Sequence, residues 1–182
     1  MSRKTTAIAT ALSALVCGSP LLSGCAHFNK QIALTSGQEK YTSGDYQGAI
    51  ADYDKVIEID PKHATAYASR CAANMNLGNQ QAAIADCDKA IEINPQSALA
   101  YSNRCVSKSN TGSYKEAITD CDKTIEIDPK NALAYANRGN AKAQLGDKKD
   151  ACTDHKKSAS LGHQGAAQWL KSEQASWCRN MP

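Results

Sequence analysis

At 182 residues, with one Phe and two Trp among them, the chain has room for one domain and a leader but lacks the aromatic residues of a thick globular core. Its 21 basic and 18 acidic residues include no dense Lys/Arg stripe interleaved with aromatics, which excludes the electrostatic footprint of a nucleic-acid binder. The balance is uneven, since residues 30–137 carry 11 basic and 14 acidic groups and residues 138–182 carry 8 and 4; the basic end reads as a solvated surface.

The chain begins with Arg3 and Lys4, then an apolar run from Ala7 to Val16, then small residues. That order predicts a secretory leader over residues 1–24, its apolar run too short to span a bilayer. Leu22-Ser23-Gly24-Cys25 follows and resembles the lipobox of bacterial lipoproteins. The resemblance implies cleavage before Cys25 and acylation of that residue, with residues 25–29 as a short tether. Ala26, where Asp would retain such a protein in the inner membrane, implies an outer-membrane position facing the periplasm. Ordinary cleavage nearby, releasing a soluble protein, is the other reading.

From Lys30 onward a unit of 34 residues recurs. Stepping by that period links Gly44, Gly78, Gly112 and Gly146, then Ala49, Ala83, Ala117 and Ala151, then Pro61, Pro95 and Pro129. Tyr67, Tyr101 and Tyr135 share one register. Tyr67, Cys71 and Asn74 recur at helical spacing in the first half of a unit, and Ala83, Cys87, Ala90 and Ile91 in the second. Gly78 between the halves fits a helix end, and Pro95 stops the second helix because it has no amide proton to donate. The small Ala83 is expected to let the two helices approach, with Tyr67 beside it. A single pair cannot bury both faces, so copies must stack.

Period and residue order resemble the tetratricopeptide repeat. The resemblance implies an all-α fold, a right-handed superhelical stack of four helix-turn-helix repeats over residues 30–63, 64–97, 98–131 and 132–165. Copy four drifts, with His155 at the large second-helix position and Leu161-Gly162-His163 replacing the Pro exit. A capping helix is expected from Ala166 to about Ala175, with Trp169 and Leu170 covering the core, and then an irregular tail.

In that family the first helices line a groove that holds a partner, at repeat positions 2, 5, 6, 9 and 13. Position 6 gives Thr35, Ser69, Asn103 and Asn137; position 13 gives Thr42, Asn76, Asn110 and Gln144; Asn140 stands at position 9. A column of amides offers donors and acceptors to an extended peptide backbone; solvated polar residues are the plainer account. The family's carboxylate clamp is missing, since Ala68, Ala72, Leu133 and Asn137 occupy places where it needs basic groups. Asp52, Asp86 and Asp120 each precede an Arg by 18 residues, Arg70, Arg104 and Arg138. We read these as ion pairs between copies that set register; a ligand-reading Arg column is the sharper alternative.

Besides Cys17 in the leader and Cys25, six cysteines remain, an even count in an exported chain. Positions 8 and 24 are both Cys in copies two and three, Gly37 with Tyr53 in copy one, and Gly139 with His155 in copy four. The two positions change together, which argues for contact and for Cys71–Cys87 and Cys105–Cys121, leaving Cys152 with Cys178. Against this, Cys71 should lie opposite Ala83, with Cys87 a turn further on, a span too long for an unstrained bridge. Cys87–Cys105 pairing and buried free thiols stay open. Cys152, His155, His163 and Cys178 carry metal-ligand chemistry, but in no zinc spacing, and no enzyme motif appears.

The expectation is therefore a lipid-anchored, non-enzymatic adaptor in the bacterial cell envelope. It would hold a protein or peptide, with no cofactor, metal, nucleic acid or small-molecule substrate. A thiol-disulfide or metal-handling protein using Cys152, His155 and Cys178 is the second reading, and a secreted, disulfide-stapled effector the third.

Overall fold

The computed structural model describes residues 22–179, and of residues 22–25 only the helical backbone. Most of the expected leader, residues 1–21, and the lipidation chemistry of Cys25 lie outside what is described. Among the described residues there is no strand, and no helix is long and apolar enough to cross a membrane.

The chain divides into two compact units at Lys62 and His63. The first holds the helix pair α1, Leu22–Thr42, and α2, Tyr46–Ile59. The second holds α3, Ala64–Asn76, with α4, Gln80–Ile93; α5, Ala98–Asn110, with α6, Tyr114–Ile127; and α7, Ala132–Gln144, with α8, Lys148–Ser160. It ends with α9, Gln164–Lys171, a 3₁₀ turn at Glu173–Ala175, and α10, Ser176–Arg179. Within the second unit each of α3–α8 packs on its repeat partner, and α4, α6 and α8 pack on α5, α7 and α9, the first helix of the next copy in each case.

Local chemistry sets the helix ends. Gly44, Gly78, Gly112 and Gly146 take φ between 80° and 87°, closing each first helix in the left-handed region that side chains avoid. The second helices end on Asp60, Asn94 and Asp128, whose Oδ1 atoms accept from the amides of Lys62, Gln96 and Lys130 at 3.1–3.2 Å. That Asx turn carries the chain over the intervening Pro to the next start. There His63 Nδ1, Ser97 Oγ and Asn131 Oδ1 accept from the third amide of the new helix.

The core is thin and built from small residues. Ala68 and Ala90 meet Ala100 of the next copy, flanked by Tyr67 and Ile91, whereas Ala83 meets Cys71, Cys87 and Met75. Tyr67 thus fills space between copies rather than beside Ala83, because position 4 of the first helix faces the end of the second helix and not its start.

Two expected boundaries shift. Among the described residues helix α1 runs from Leu22, so the backbone of the expected tether, residues 25–29, is helical. At the other end α8 forms, one residue shorter than α2, α4 and α6, and Gly162, φ 92°, with the His163 cap starts α9 two residues early. The short exit lacks the Pro turn, so α9 occupies the place of a fifth first helix. It stops at Ser172, well before Ala175. Arg179 Nη1 then donates to the carbonyls of Leu170 and Ser172 at 2.8 and 2.6 Å, folding the tail back.

Candidate functional site

The buried carboxylates at position 23 organise each copy. Asp86 accepts from Arg70 Nε at 3.0 Å and Asn74 Nδ2 at 3.1 Å. Asp120 accepts from Arg104 Nε at 2.9 Å and pairs with Lys108 at 2.8 Å. Asp154 does the same with Arg138 at 2.9 Å and Lys142 at 3.0 Å. In copy one Ser36 stands where the Arg would be. Asp52 there accepts from Ser36 and Lys40 at 2.6 Å and Lys55 at 2.7 Å. Burial would raise the Asp52 carboxyl, but the hydrogen bonds of Lys40, Lys55 and Ser36 outweigh it and hold it at about 2.

The arginines reach the preceding copy by another residue than spacing predicts. Arg104 Nη1 bonds Asp88, not Asp86, and Arg138 Nη1 bonds Asp122, not Asp120, at 2.6 Å. Expected pairs Asp86–Arg104 and Asp120–Arg138 are thereby corrected. Two residues along a helix turn the side chain by about 200°, so position 23 faces its own first helix while position 25 faces the next copy. Asp52 and Arg70, the third expected pair, belong to separate units, and their partners within each are Lys40 with Lys55 and Asp86. Arg104 and Arg138 also lie over Tyr101 and Tyr135, 5.5 and 5.4 Å from the ring centres. Burial lowers and the aspartates raise the Arg104 pKa, the latter prevailing; hydrogen bonding to Asp154 raises that of Arg138. Guanidinium groups so engaged serve the stack and leave no fork for a ligand.

At positions 8 and 24 the two helices of a copy cross. The structure joins Cys71 to Cys87 and Cys105 to Cys121, with Cα atoms 5.5 and 5.6 Å apart, inside the roughly 4.4–6.8 Å that a bridge spans. Position 8 thus faces position 24 as well as Ala83, which removes the one-turn objection. Cys152 is joined to Cys178 of α10, Cα atoms 5.5 Å apart, with Trp169, Leu170 and Trp177 packed around it. His155 stacks on Trp169, ring centres 4.3 Å apart, and His163 is used as a cap. Among the described residues no group of three or more His, Cys, Asp or Glu is placed to hold a metal ion.

A cleft of about 320 Å³ opens along α5 and α7, lined by Val106, Ser109, Asn110, Tyr114, Asn137, Asn140, Ala141 and Gln144. It gathers four expected groove residues, Asn110, Asn137, Asn140 and Gln144, and its lining has no charged side chain. The other four are elsewhere. Asn103 is only 9% exposed, and its Nδ2 donates to the Ala68 carbonyl of the preceding copy at 3.3 Å, so it ties copies together rather than facing a partner. Asn76 and Thr35 donate to their own helices, to Ala72 and Gln31, and Ser69 is half-buried. Sequence reading missed Val106, Ser109, Tyr114 and Ala141. Val106 shares position 9 with Asn140, so the period held that signal; Tyr114 comes from a second helix, outside the first-helix positions considered.

Comparison with known proteins agrees with this geometry. The family profile described as TPR repeat matches residues 37–78 and 110–146, and that described as Tetratricopeptide repeat matches residues 65–97. The chain carries tetratricopeptide repeats. Repeats of this kind typically mediate protein–protein interaction. A crystal structure of MamA is similar at 26% identity, covering 80% of this chain and 91% of that one, with a TM-score of 0.66. The Arabidopsis OM64 TPR domain matches at 25% identity over 65% of this chain and 98% of its own, TM-score 0.64. The first TPR of RPAP3, bound to the HSP90 peptide SRMEEVD, matches in fold at 24% identity over 65% and 94%, TM-score 0.63. No curated protein matches the sequence.

Proposed function

We propose that this chain is an adaptor of the bacterial cell envelope, anchored through acylated Cys25, that holds an extended, uncharged segment of a partner protein. The cleft carries the reading. Asn110, Asn137, Asn140 and Gln144 line one recess with Tyr114 and Ser109, and no Lys or Arg joins them. Neutral amides bond a peptide backbone through both its donor and its acceptor. The RPAP3 domain holds a peptide with acidic side chains, and this lining has no cation to meet them. In affinity capture from its own membranes, Asn140→Ala with Gln144→Ala should lose the partners that the unaltered chain retains, with unchanged thermal midpoint. Equal capture would refute the groove.

The anchor is supported by the leader pattern and by Leu22-Ser23-Gly24-Cys25, with Ala26 favouring the outer membrane facing the periplasm. Mass spectrometry of the mature N-terminus tests it, and an unacylated, cleaved end would favour the secreted effector. Oxidised cysteines fit an exported chain. A thiol titration of denatured, unreduced protein should find none of Cys71, Cys87, Cys105, Cys121, Cys152 and Cys178 free. The thiol-handling reading lacks an accessible sulfur, because all six are buried.

A further inference from the structure

First helices turn one side toward the copy before them, and position 3 marks it. Ala100 is wholly buried there against Ala68 and Ala90 of the preceding copy. Ala134 and, in α9, Ala166 are buried at the same place. In α1 that position is Ile32, 43% exposed, and Phe28 one turn earlier is 53% exposed. Position 7, from which Arg104 and Arg138 reach back to Asp88 and Asp122, is Ser36. Where the guanidinium is missing there is a cleft of about 550 Å³, walled by Ile32 and exposed Ile59, floored by Asp52 and edged by Lys40, Lys55 and Glu58. The last repeat, by contrast, is closed by Trp169, Leu170 and Trp177.

We infer that this bared side of the first repeat lies against the bilayer surface, with Phe28 and Ile32 entering the lipid interface. The inference rests on the reading of Cys25 as acylated. Helix α1 runs unbroken from Leu22 through Ile32. Phe28 and Ile32 follow Cys25 by three and seven residues in that helix, a helical register whose span along the axis is about 10 Å. Interfacial helices sink by about 5–10 Å, so an acyl chain at Cys25 brings both side chains to that depth. No slack separates anchor from repeat. Lys30 is paired with Asp60, and Lys40 and Lys55 with Asp52. With those cations paired, the contact rests on Phe28 and Ile32 rather than on attraction to lipid charge, and little dependence on salt is expected.

Hydroxyl-radical labelling of the full protein, purified from membranes into phosphatidylethanolamine–phosphatidylglycerol vesicles, tests this. Each residue is referred to its own reactivity in the urea-unfolded protein. Leu99 and Leu133, 51% and 55% exposed, give the level for a free side chain. Phe28 and Ile32 should be protected on the order of tenfold more than those two, at low and high salt alike. Protection should also persist at one chain per vesicle. An acylated protein with Phe28 labelled as readily as Leu99 overturns the inference and leaves the anchor standing. Protection lost on dilution assigns the face to a second copy and overturns it too. An N-terminus without acyl chains removes the anchor and the inference together.

Discussion

Copies two and three fill their helix crossing with a disulfide, while copies one and four fill it with a ring over a glycine. A Cβ built on Gly37 would come within 2.7 Å of the Tyr53 ring. One built on Gly139 would come within 3.2 Å of His155 Cδ2 and 3.1 Å of the Ala151 carbonyl. Where the second helix brings Tyr or His, the first must contribute nothing, and where both bring Cys the volume is shared and then crosslinked. The crossing demands a fixed volume, and close packing enforces it. The two solutions differ in what can undo them: rings depend on burial, sulfurs on oxidation.

The largest break in this comparison is Tyr53→Ala. Tyr53 is almost wholly buried, and emptying its site over Gly37 should cost about 3–5 kcal/mol, read as a fall in the urea midpoint. A loss under 1 kcal/mol would show that the crossing does not need the ring. Next is Cys87→Ala, which opens a loop of 16 residues and should cost about 3 kcal/mol. Adding reductant to the unaltered chain opens all three bridges and should lower the midpoint further than that single variant does, without touching the Tyr53 copy. Should reductant leave the midpoint unchanged, the sulfurs are not bonded in the protein.

The two solutions should also be interchangeable. Cys71→Gly with Cys87→Tyr should fold, retain its helical circular dichroism and lose only its own share of the reductant sensitivity. Cys71→Gly alone should be worse than the pair, because it leaves both a void and an unpaired thiol. If the double variant is no better than the single one, the crossing volume is not the shared constraint.

That constraint was legible in the sequence because it appears four times in one chain. Gly37 with Tyr53, two Cys pairs, and Gly139 with His155 show two positions changing together, which is evidence of contact from a single molecule. Glycine turns and proline exits were legible for a like reason, since each residue has one backbone role. What the period hides is direction. It brings Asp86 and Asp88 equally near Arg104, and only the helix rotation decides that Asp88 is the one across the copy boundary. The same ambiguity made Asn103 look like a groove residue when its amide bonds the Ala68 carbonyl. Helix α9 was misplaced because α8 and the loop after it are each one residue shorter than in the other copies, which breaks the period, and periodicity cannot see past its own interruption.

The smallest effect separates the two ring-filled copies by pH. His155 Nδ1 is buried without a hydrogen-bond partner among the described residues. Burial lowers the pKa of the ring below its usual 6.5, and His163 adds to this while Asp154 opposes it. A base whose folded pKa is depressed takes its proton more readily when unfolded, so stability is lost as pH falls below about 6.5. Asp52 behaves otherwise. Its carboxyl sits at about 2 against 3.8 unperturbed, so its contribution is whole above about pH 4 and disappears only as pH falls toward 2. Acid should therefore loosen the last copy first, with fluorescence of Trp169 and Trp177 changing as pH falls below about 6.5 while the first copy keeps its structure. His155→Phe should abolish that early change, since a neutral ring of similar size still covers Gly139 and has no proton to bind. An early change that survives in His155→Phe would place its origin outside this ring.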